Sequence, residues 1–420
     1  MKTLFHKIEK YNCWDGKYFD TGYERKTYLK DILKYQGNKL VKVLVGQRRV
    51  GKSYILRQIM SFLRNEKNIG PKNIFYLNKE YIAFDEIETA KDLENIFGFY
   101  KAELKVTGKI YIFLDEVQNI DGWETFVNSN SQDFTEEYEL FISGSNSNLL
   151  SGELATLLSG RYIEFEIFPF DLFEFADYKS LNINRDTFLQ YLQNGGLPEL
   201  FNFDQTVTKL NYIASLKNTI ILRDIVSRYK VKDVDLLENI LKFLFINIGN
   251  LTSFTSIVKY FKSKQKKTNY ETISTYVNYL KNTFIIHECE RYNLRGKQVL
   301  GGERKYFLND LAFKNLLSGF FPDDIGYHLE NYVFMQLKRM HYNVKVGVFG
   351  DKEVDFVAQK GDKTIYVQVA YLLSEPKTVE REFGNLLKIK DNFEKFVVSL
   401  DEAEFSDYQG IKHIKPWELY

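Results

Sequence analysis

Cysteine is nearly absent: two in 420 residues, Cys13 and Cys289, far apart in the chain. Such a pair builds neither a disulfide framework nor a metal site, and it favours a reducing compartment. An excess of one charge is lacking too. Lysine and arginine number 57 against 56 acidic residues, a formal charge of +1, so no global field attracts nucleic acid and any basic surface must be local. No apolar run approaches the roughly 20 residues that span a bilayer, and the opening MKTLFHKIEK has no apolar core of the signal-peptide kind. No membrane partner is expected, and the chain reads as cytoplasmic. Internal repeats and low-complexity stretches are missing as well. What is present, 44% hydrophobic and 27% charged residues, belongs to a folded globular protein. The length calls for two or more cores.

The most informative stretch is Leu40 to Met60, LVKVLVGQRRVGKSYILRQIM. An apolar run ending at Val45 meets Gly46-Gln47-Arg48-Arg49-Val50-Gly51-Lys52-Ser53-Tyr54, and Ile55, Leu56 and Ile59 continue at helical spacing. Strand, glycine loop, helix is the order in which backbone N–H groups turn inward around phosphate oxygens and a helix N-terminus adds its positive end. Residues 46–54 are the expected ATP-binding set. Lys52 is assigned to the β- and γ-phosphates and Ser53 to Mg²⁺.

A second apolar run, Ile110 to Leu114, ends in Asp115 and Glu116. In a P-loop NTPase the first carboxylate of such a strand holds Mg²⁺ and the second polarises the attacking water, so Asp115 joins Ser53 as a metal residue and Glu116 is the expected general base. Tyr138 to Ser143 forms the next strand, with Ser145 or Asn146 at its tip to touch the γ-phosphate or the water, and Asn146 is the one assigned. Leu149 to Leu158 reads as helix and Tyr162 to Ile167 as a fifth strand. Alternation of this kind implies an open parallel sheet with its ligand at the carboxyl ends of the strands. Before the first strand, Tyr28, Leu29, Ile32 and Leu33 mark a helix, and Arg25 beside it is a candidate nucleotide contact that reads first as a solvated charge.

GQRRVGKS, FLDEVQ, SGSNSNLLSGELATLLSGRYIEFEIFPF and YLQNGGLPEL together resemble the bacterial and archaeal AAA-type ATPases that carry a C-terminal domain of unknown function (AAA_14 with DUF4143). The resemblance implies an additional-strand, catalytic-glutamate P-loop core. It also implies that Arg161, in the L-x-G-R segment, acts as an arginine finger from this chain or from a neighbouring subunit of an oligomer.

The second half carries three short helical patterns: Leu237, Leu241 and Leu244; Phe254, Ile257, Val258 and Phe261; and Ile273, Tyr276, Val277 and Leu280. Two strands around the tip Arg295 to Arg304 follow, and three helices plus a hairpin make a winged helix. Thr268 and Glu271 are spaced as a capping box at the start of the third helix, the one placed to enter a major groove. Lys259, Lys262, Lys264, Lys266 and Lys267 precede that helix, and Arg291, Arg295, Lys297, Arg304 and Lys305 lie along the hairpin. Such clusters suit phosphate contacts on double-stranded DNA.

In the last segment Glu330 on a helix, Asp355 on a strand and Gln368 on the next strand are laid out like a PD-(D/E)xK nuclease. Mg²⁺ in that fold needs carboxylates, and a lysine two residues beyond the third ligand assists the water. Here the third ligand is the neutral Gln368 and the lysine position is Ala370, so the domain reads as a degenerate scaffold. The expected organisation is an α/β chain with an N-terminal segment at 1–37, a P-loop core at 38–175 and a helical lid at 176–232. A winged helix at 233–308 and a restriction-endonuclease-like domain at 309–420 complete it. The expected function is an ATP- and Mg²⁺-dependent ATPase coupled to DNA. The alternatives are a DNA-binding regulator with ATP as conformational ligand, and an ATP-gated DNA nuclease.

Overall fold

The computed structural model describes residues 2–150, 158, 160–373, 376–402 and 408–420. They form two compact units, Met1–Ile167 and Phe168–Tyr420. Most of the 149–158 helix expected from the sequence lies outside the described residues. No helix among those described is long and apolar enough to cross a membrane.

The first unit is built on five strands, β1 (Val41–Val45), β2 (Ile74–Asn78), β3 (Ile110–Asp115), β4 (Tyr138–Gly144) and β5 (Tyr162–Glu166), in the order β2-β3-β4-β1-β5. All pairings are parallel. β1 to β4 are buried along their whole length, as expected of continuous apolar runs covered on both faces. β4 sits between β1 and β3, and its register sets Val45 beside Gly144 and Leu114 beside Ile142. The carboxyl ends of the three strands therefore finish side by side. The edge strand β2 is closed by side chains. Asn12, at the end of a helix over Lys2–Asn12, accepts from Tyr76 N and donates to Tyr76 O, and Trp14 Nε1 donates to Ile74 O. That amide stands in for a further strand and leaves fewer open edge groups.

The second unit begins with helices Leu172–Lys179, Arg185–Asn194 and Thr206–Thr219, the last running into a π-helical stretch, Ile220–Ser227. The Asn194-Gly195-Gly196 motif has a packing reason. Gly195 has φ of +75°, and a Cβ on Gly196 would lie 2.1 Å from Phe170 O, whose own amide donates to Gly196 O. Next come helices Val234–Ile246, Phe254–Ser263 and Tyr270–Asn282, then β6 (Ile286–Asn293) and β7 (Gln298–Leu308). The last of these helices is capped differently from the sequence expectation. Asn269, not Thr268, is the N-cap and accepts from Thr272 N at 2.8 Å, since a short Asx side chain reaches that amide directly.

Helix Ile325–Arg339 leads to β8 (Asn343–Phe349), β9 (Lys352–Lys360) and β10 (Lys363–Ala370), with β11 (Glu394–Ser399) and β12 (Ile411–Ile414) after a further helix, Pro376–Leu387. One mixed sheet holds them in the order β12-β11-β10-β9-β8-β6-β7. The segments that the sequence separates at 233–308 and 309–420 thus share a sheet, because β6 pairs in parallel with β8 at Arg291 to Asn293.

Candidate nucleotide-binding site

The loop between β1 and helix Lys52–Asn65 is shaped by two left-handed glycines. Gly46 has φ of +146° and lies so close to β5's end that a Cβ would meet Ile167 O at 2.3 Å; Gly51 has φ of +101° and starts the helix. Inside the turn Lys52 is 4% exposed, and its ammonium donates to Gly46 O at 2.9 Å and Gln47 O at 3.0 Å, with Glu116 Oε1 at 3.7 Å. Its close partners are neutral carbonyls, so its charge is available to an anion in the loop. Arg48 pairs with Glu80. Arg49 takes φ of +67°, Gln47 and Val50 are fully buried, and Tyr54 leans outward under the Arg57 guanidinium at 4.0 Å.

Asp115 and Glu116 follow at the end of β3. Asp115 is fully buried and over-held: Oδ2 accepts from Asn78 Nδ2 at 2.7 Å and Tyr76 OH at 3.1 Å, Oδ1 accepts from Ser143 Oγ, and Ser53 also hydrogen-bonds to it. Burial, with the Glu116 charge beside it, raises its carboxyl above the ordinary range despite those bonds. The Ser53 hydroxyl and the Asp115 carboxylate together form the hard oxygen pair that suits Mg²⁺.

Glu116 sits in the left-handed region, φ +55° and ψ +44°, a conformation that costs a non-glycine residue roughly 1–3 kcal/mol and clusters at functional sites. Its Oε2 accepts from Ser145 Oγ at 3.0 Å and from Gln118 Nε2. Burial pushes the carboxyl up, but Lys52, Arg48 and those two hydrogen bonds outweigh it and hold Glu116 below the usual glutamate value. It is therefore an ionised acceptor at neutral pH.

The structure brings the loop, Asp115 and Glu116 together, with Ser145 and Asn146 buried at the tip of β4. Ser145 of that tip donates to Glu116 Oε2. Arg161 is elsewhere. It is exposed and precedes Tyr162, which pairs with Val41 at the start of β1, whereas the phosphate loop follows Val45 at the other end. About 13 Å of strand separates them, so the parallel register sets Arg161 at the amino ends of the strands, away from the phosphate loop. Sequence reasoning missed several supporting groups: Asn78, Tyr76 and Ser143 on Asp115, and Gln118 on Glu116. Far from being solvated, Arg25 is 2% exposed and donates to Val50 O of the loop at 3.1 Å. Asn78 was findable, as a polar residue ending an apolar strand run.

The sequence model of an AAA domain matches residues 38–176. Over 401 residues the chain is 34% identical to an uncharacterized protein of Haemophilus influenzae, covering 94% of this chain and 98% of that one. It is 31% identical over 410 residues to one of Methanocaldococcus jannaschii, 93% and 86% of the two chains. Residues 38–176 are an AAA domain of the P-loop type, and the chain belongs to one family with these two proteins. Residues 185–324 match a domain of unknown function, DUF8612, where the sequence resemblance pointed to DUF4143. Among solved structures, the Aeropyrum pernix Orc1 protein in complex with DNA is 15% identical with TM-score 0.32, covering 76% of this chain and 96% of that one. The Thermotoga maritima RuvB Holliday junction branch migration motor is 17% identical with TM-score 0.33, covering 66% and 91%.

In this AAA-domain chain the second set of candidates sorts by charge pairing. Lys262, Lys264, Lys267, Arg295 and Lys297 are exposed, and among the described residues no carboxylate pairs with them. Lys266 pairs with Asp235. Arg291 pairs with Glu303 at 3.0 Å and Arg304 with Glu288 at 2.8 Å, so those two hairpin cations are already neutralised. Lys305 is buried against Glu330, Glu353 and Asp355. Gln368 Oε1 accepts from Asp355 N at 3.3 Å, which ties it to the strand beside it.

Proposed function

We propose that the protein is a Mg²⁺-dependent ATPase whose nucleotide state is coupled to duplex DNA held by a winged helix and a nuclease-like domain within residues 168–420. The observation that carries it is the meeting of Lys52, Ser53, Asp115 and Glu116 at the carboxyl ends of β1 and β3, braced by β4 between them. When bound, Mg²⁺ would neutralise phosphate charge from the oxygens of Ser53 and Asp115. Lys52 exchanges the carbonyls of Gly46 and Gln47 for phosphate oxygens. Glu116 takes a proton from the attacking water, and Gln118 and Ser145 hold its carboxylate in place for that transfer. Arg161 serves the site of a neighbouring subunit in an oligomer, a reading supported by its place at the amino ends of the strands, away from the phosphate loop.

The DNA part of the reading is supported by the unpaired cations Lys262, Lys264 and Lys267 ahead of helix Tyr270–Asn282 and Arg295 and Lys297 at the hairpin tip, against a chain of nearly zero net charge. The deciding experiment is steady-state ATP hydrolysis by the wild type and by Glu116→Gln, each with and without duplex DNA. Turnover lost in the variant with ATP binding kept, and stimulation of the wild type by DNA, is the expected result. Absence of turnover in the wild type with ATP bound would replace this reading by a DNA-binding regulator that uses ATP as a conformational ligand.

A further inference from the structure

Lys305 is the most tightly enclosed cation in the second unit that no part of the ATPase reading uses. It lies on β7, 4% exposed, opposite Cys289 of β6. Its ammonium is 2.8 Å from Glu330 Oε1, 2.9 Å from Glu353 Oε1 and 3.8 Å from Asp355 Oδ1. Glu330 comes from helix Ile325–Arg339, and Glu353 and Asp355 come from one face of β9, two residues apart. Two of these three carboxylates are the ones the sequence assigns to a nuclease-like centre. The cation among them is a side chain.

The surroundings are arranged for an ammonium. Asp355 Oδ2 is taken by Val369 N at 2.8 Å, and the second oxygen of Glu330 lies over Gly249, where a Cβ would stand 3.0 Å away. Among the described residues no group of three or more His, Cys, Asp or Glu side chains is arranged to hold a metal ion. Separations of 2.8 and 2.9 Å are those of charge-assisted N–H···O bonds, whereas Mg²⁺ and Mn²⁺ draw carboxylate oxygens much closer. The residue that would be the third ligand, Gln368, is neutral and bonded to the Asp355 amide. A fourth carboxylate, Glu382, is 3% exposed; its Oε1 pairs with Arg381 at 2.6 Å, its Oε2 has no partner among the described residues, and its charge acts on Asp355. Burial, with the Glu330 charge beside it, raises the Asp355 carboxyl against the pull of Lys305. Glu330, Glu353 and Asp355 thus close around the Lys305 ammonium, while the outlying Glu382 has its own cation in Arg381.

We propose that Lys305 is a built-in counter-ion occupying the cation position of the nuclease-like centre, so that this domain takes no divalent metal there and binds nucleic acid without cutting it. The inference rests on the nuclease-like reading of residues 309–420. The same carboxylates become a divalent-cation site once the ammonium is removed.

The test counts Mn²⁺ bound to the full chain without nucleotide, by electron paramagnetic resonance, in the wild type, Asp355→Asn, Lys305→Ser and the Lys305→Ser/Asp355→Asn pair. The wild type and Asp355→Asn are expected to bind Mn²⁺ equally. Lys305→Ser is expected to bind one more Mn²⁺ per chain, lost in the double variant, and to be restored in thermal stability by Mn²⁺ where the wild type is not. Two distinguishable results would overturn the inference. A Mn²⁺ that the wild type loses on Asp355→Asn means the centre takes metal with Lys305 in place. A folded Lys305→Ser that takes no extra Mn²⁺ means the carboxylates are no former metal centre, and the nuclease-like reading falls with it. If Lys305→Ser does not fold, the wild type against Asp355→Asn decides by itself, joined by plasmid nicking with Mn²⁺: wild-type cutting lost in Lys305→Gln would make Lys305 part of a working centre.

Discussion

Lys52 and Lys305 are both 4% exposed, and each faces carboxylates, yet the two sites are built to opposite ends. Lys52 rests on two backbone carbonyls with the Glu116 carboxylate at 3.7 Å, so its closest partners leave its charge uncancelled. Lys305 is wrapped by three carboxylates, and its charge is spent inside the fold. Burial and residue type do not distinguish a ligand-binding lysine from a structural one. The charge of its nearest partners does.

The strongest way to break the comparison is at Glu116, the carboxylate nearest Lys52. Glu116→Gln is expected to lower the ATPase turnover number by about 10²–10⁴-fold, as removal of a general base does, with ATP affinity retained. A turnover within a few-fold of wild type would show that Glu116 is only a neighbour of Lys52. Next in size is stability. Lys305→Met leaves three carboxylates without their cation and is expected to cost roughly 3–5 kcal/mol in urea unfolding, whereas Lys52→Met loses hydrogen bonds to carbonyls and is expected to cost about 1 kcal/mol while abolishing ATP binding. Equal losses would erase the distinction.

Glu116 and Asp355 should also respond to pH with opposite sign. The Asp355 carboxyl is raised in the folded state, so its contribution is full below the unfolded carboxylate value and is lost as pH rises through the folded one. Glu116 is held low, so its contribution is full above the unfolded glutamate value and is lost only as pH falls further into acid. Thermal unfolding between about pH 5 and 8 should therefore show Asp355→Asn gaining on the wild type with rising pH, and Glu116→Gln keeping a constant offset. An Asp355→Asn offset independent of pH would contradict the burial argument.

The smallest expected change is in the surface cations that neither lysine resembles. Replacing Lys262, Lys264 and Lys267 by glutamine should weaken duplex binding evenly across sequences and reduce the salt slope by about one for each DNA phosphate that is no longer neutralised. A slope left unchanged in fluorescence anisotropy would remove these residues from the DNA surface.

Chain-local chemistry was legible from the start. The phosphate loop needs glycines, a lysine and a serine within eight consecutive residues, and its strand and helix are marked by apolar periodicity on either side, so spacing alone locates Lys52 and Ser53. The acidic pair is equally local, because an apolar strand that ends in two carboxylates presents them at the carboxyl end of the sheet. Partner choice was not legible. Lys305 read as one more cation beside Arg304, and Arg25 as a solvated charge, because their partners lie 25 or more residues away and meet them only when particular strands and helices become neighbours. Arg161 shows the same division. Its motif was readable, but only the parallel pairing of β5 with β1 decided which end of the sheet it stands at. Spacing along the chain sets which groups can act together within one loop. Which distant charges cancel, and which are left for a ligand, is decided by tertiary packing, since Coulomb energies follow distance in space and the local dielectric, not order in sequence.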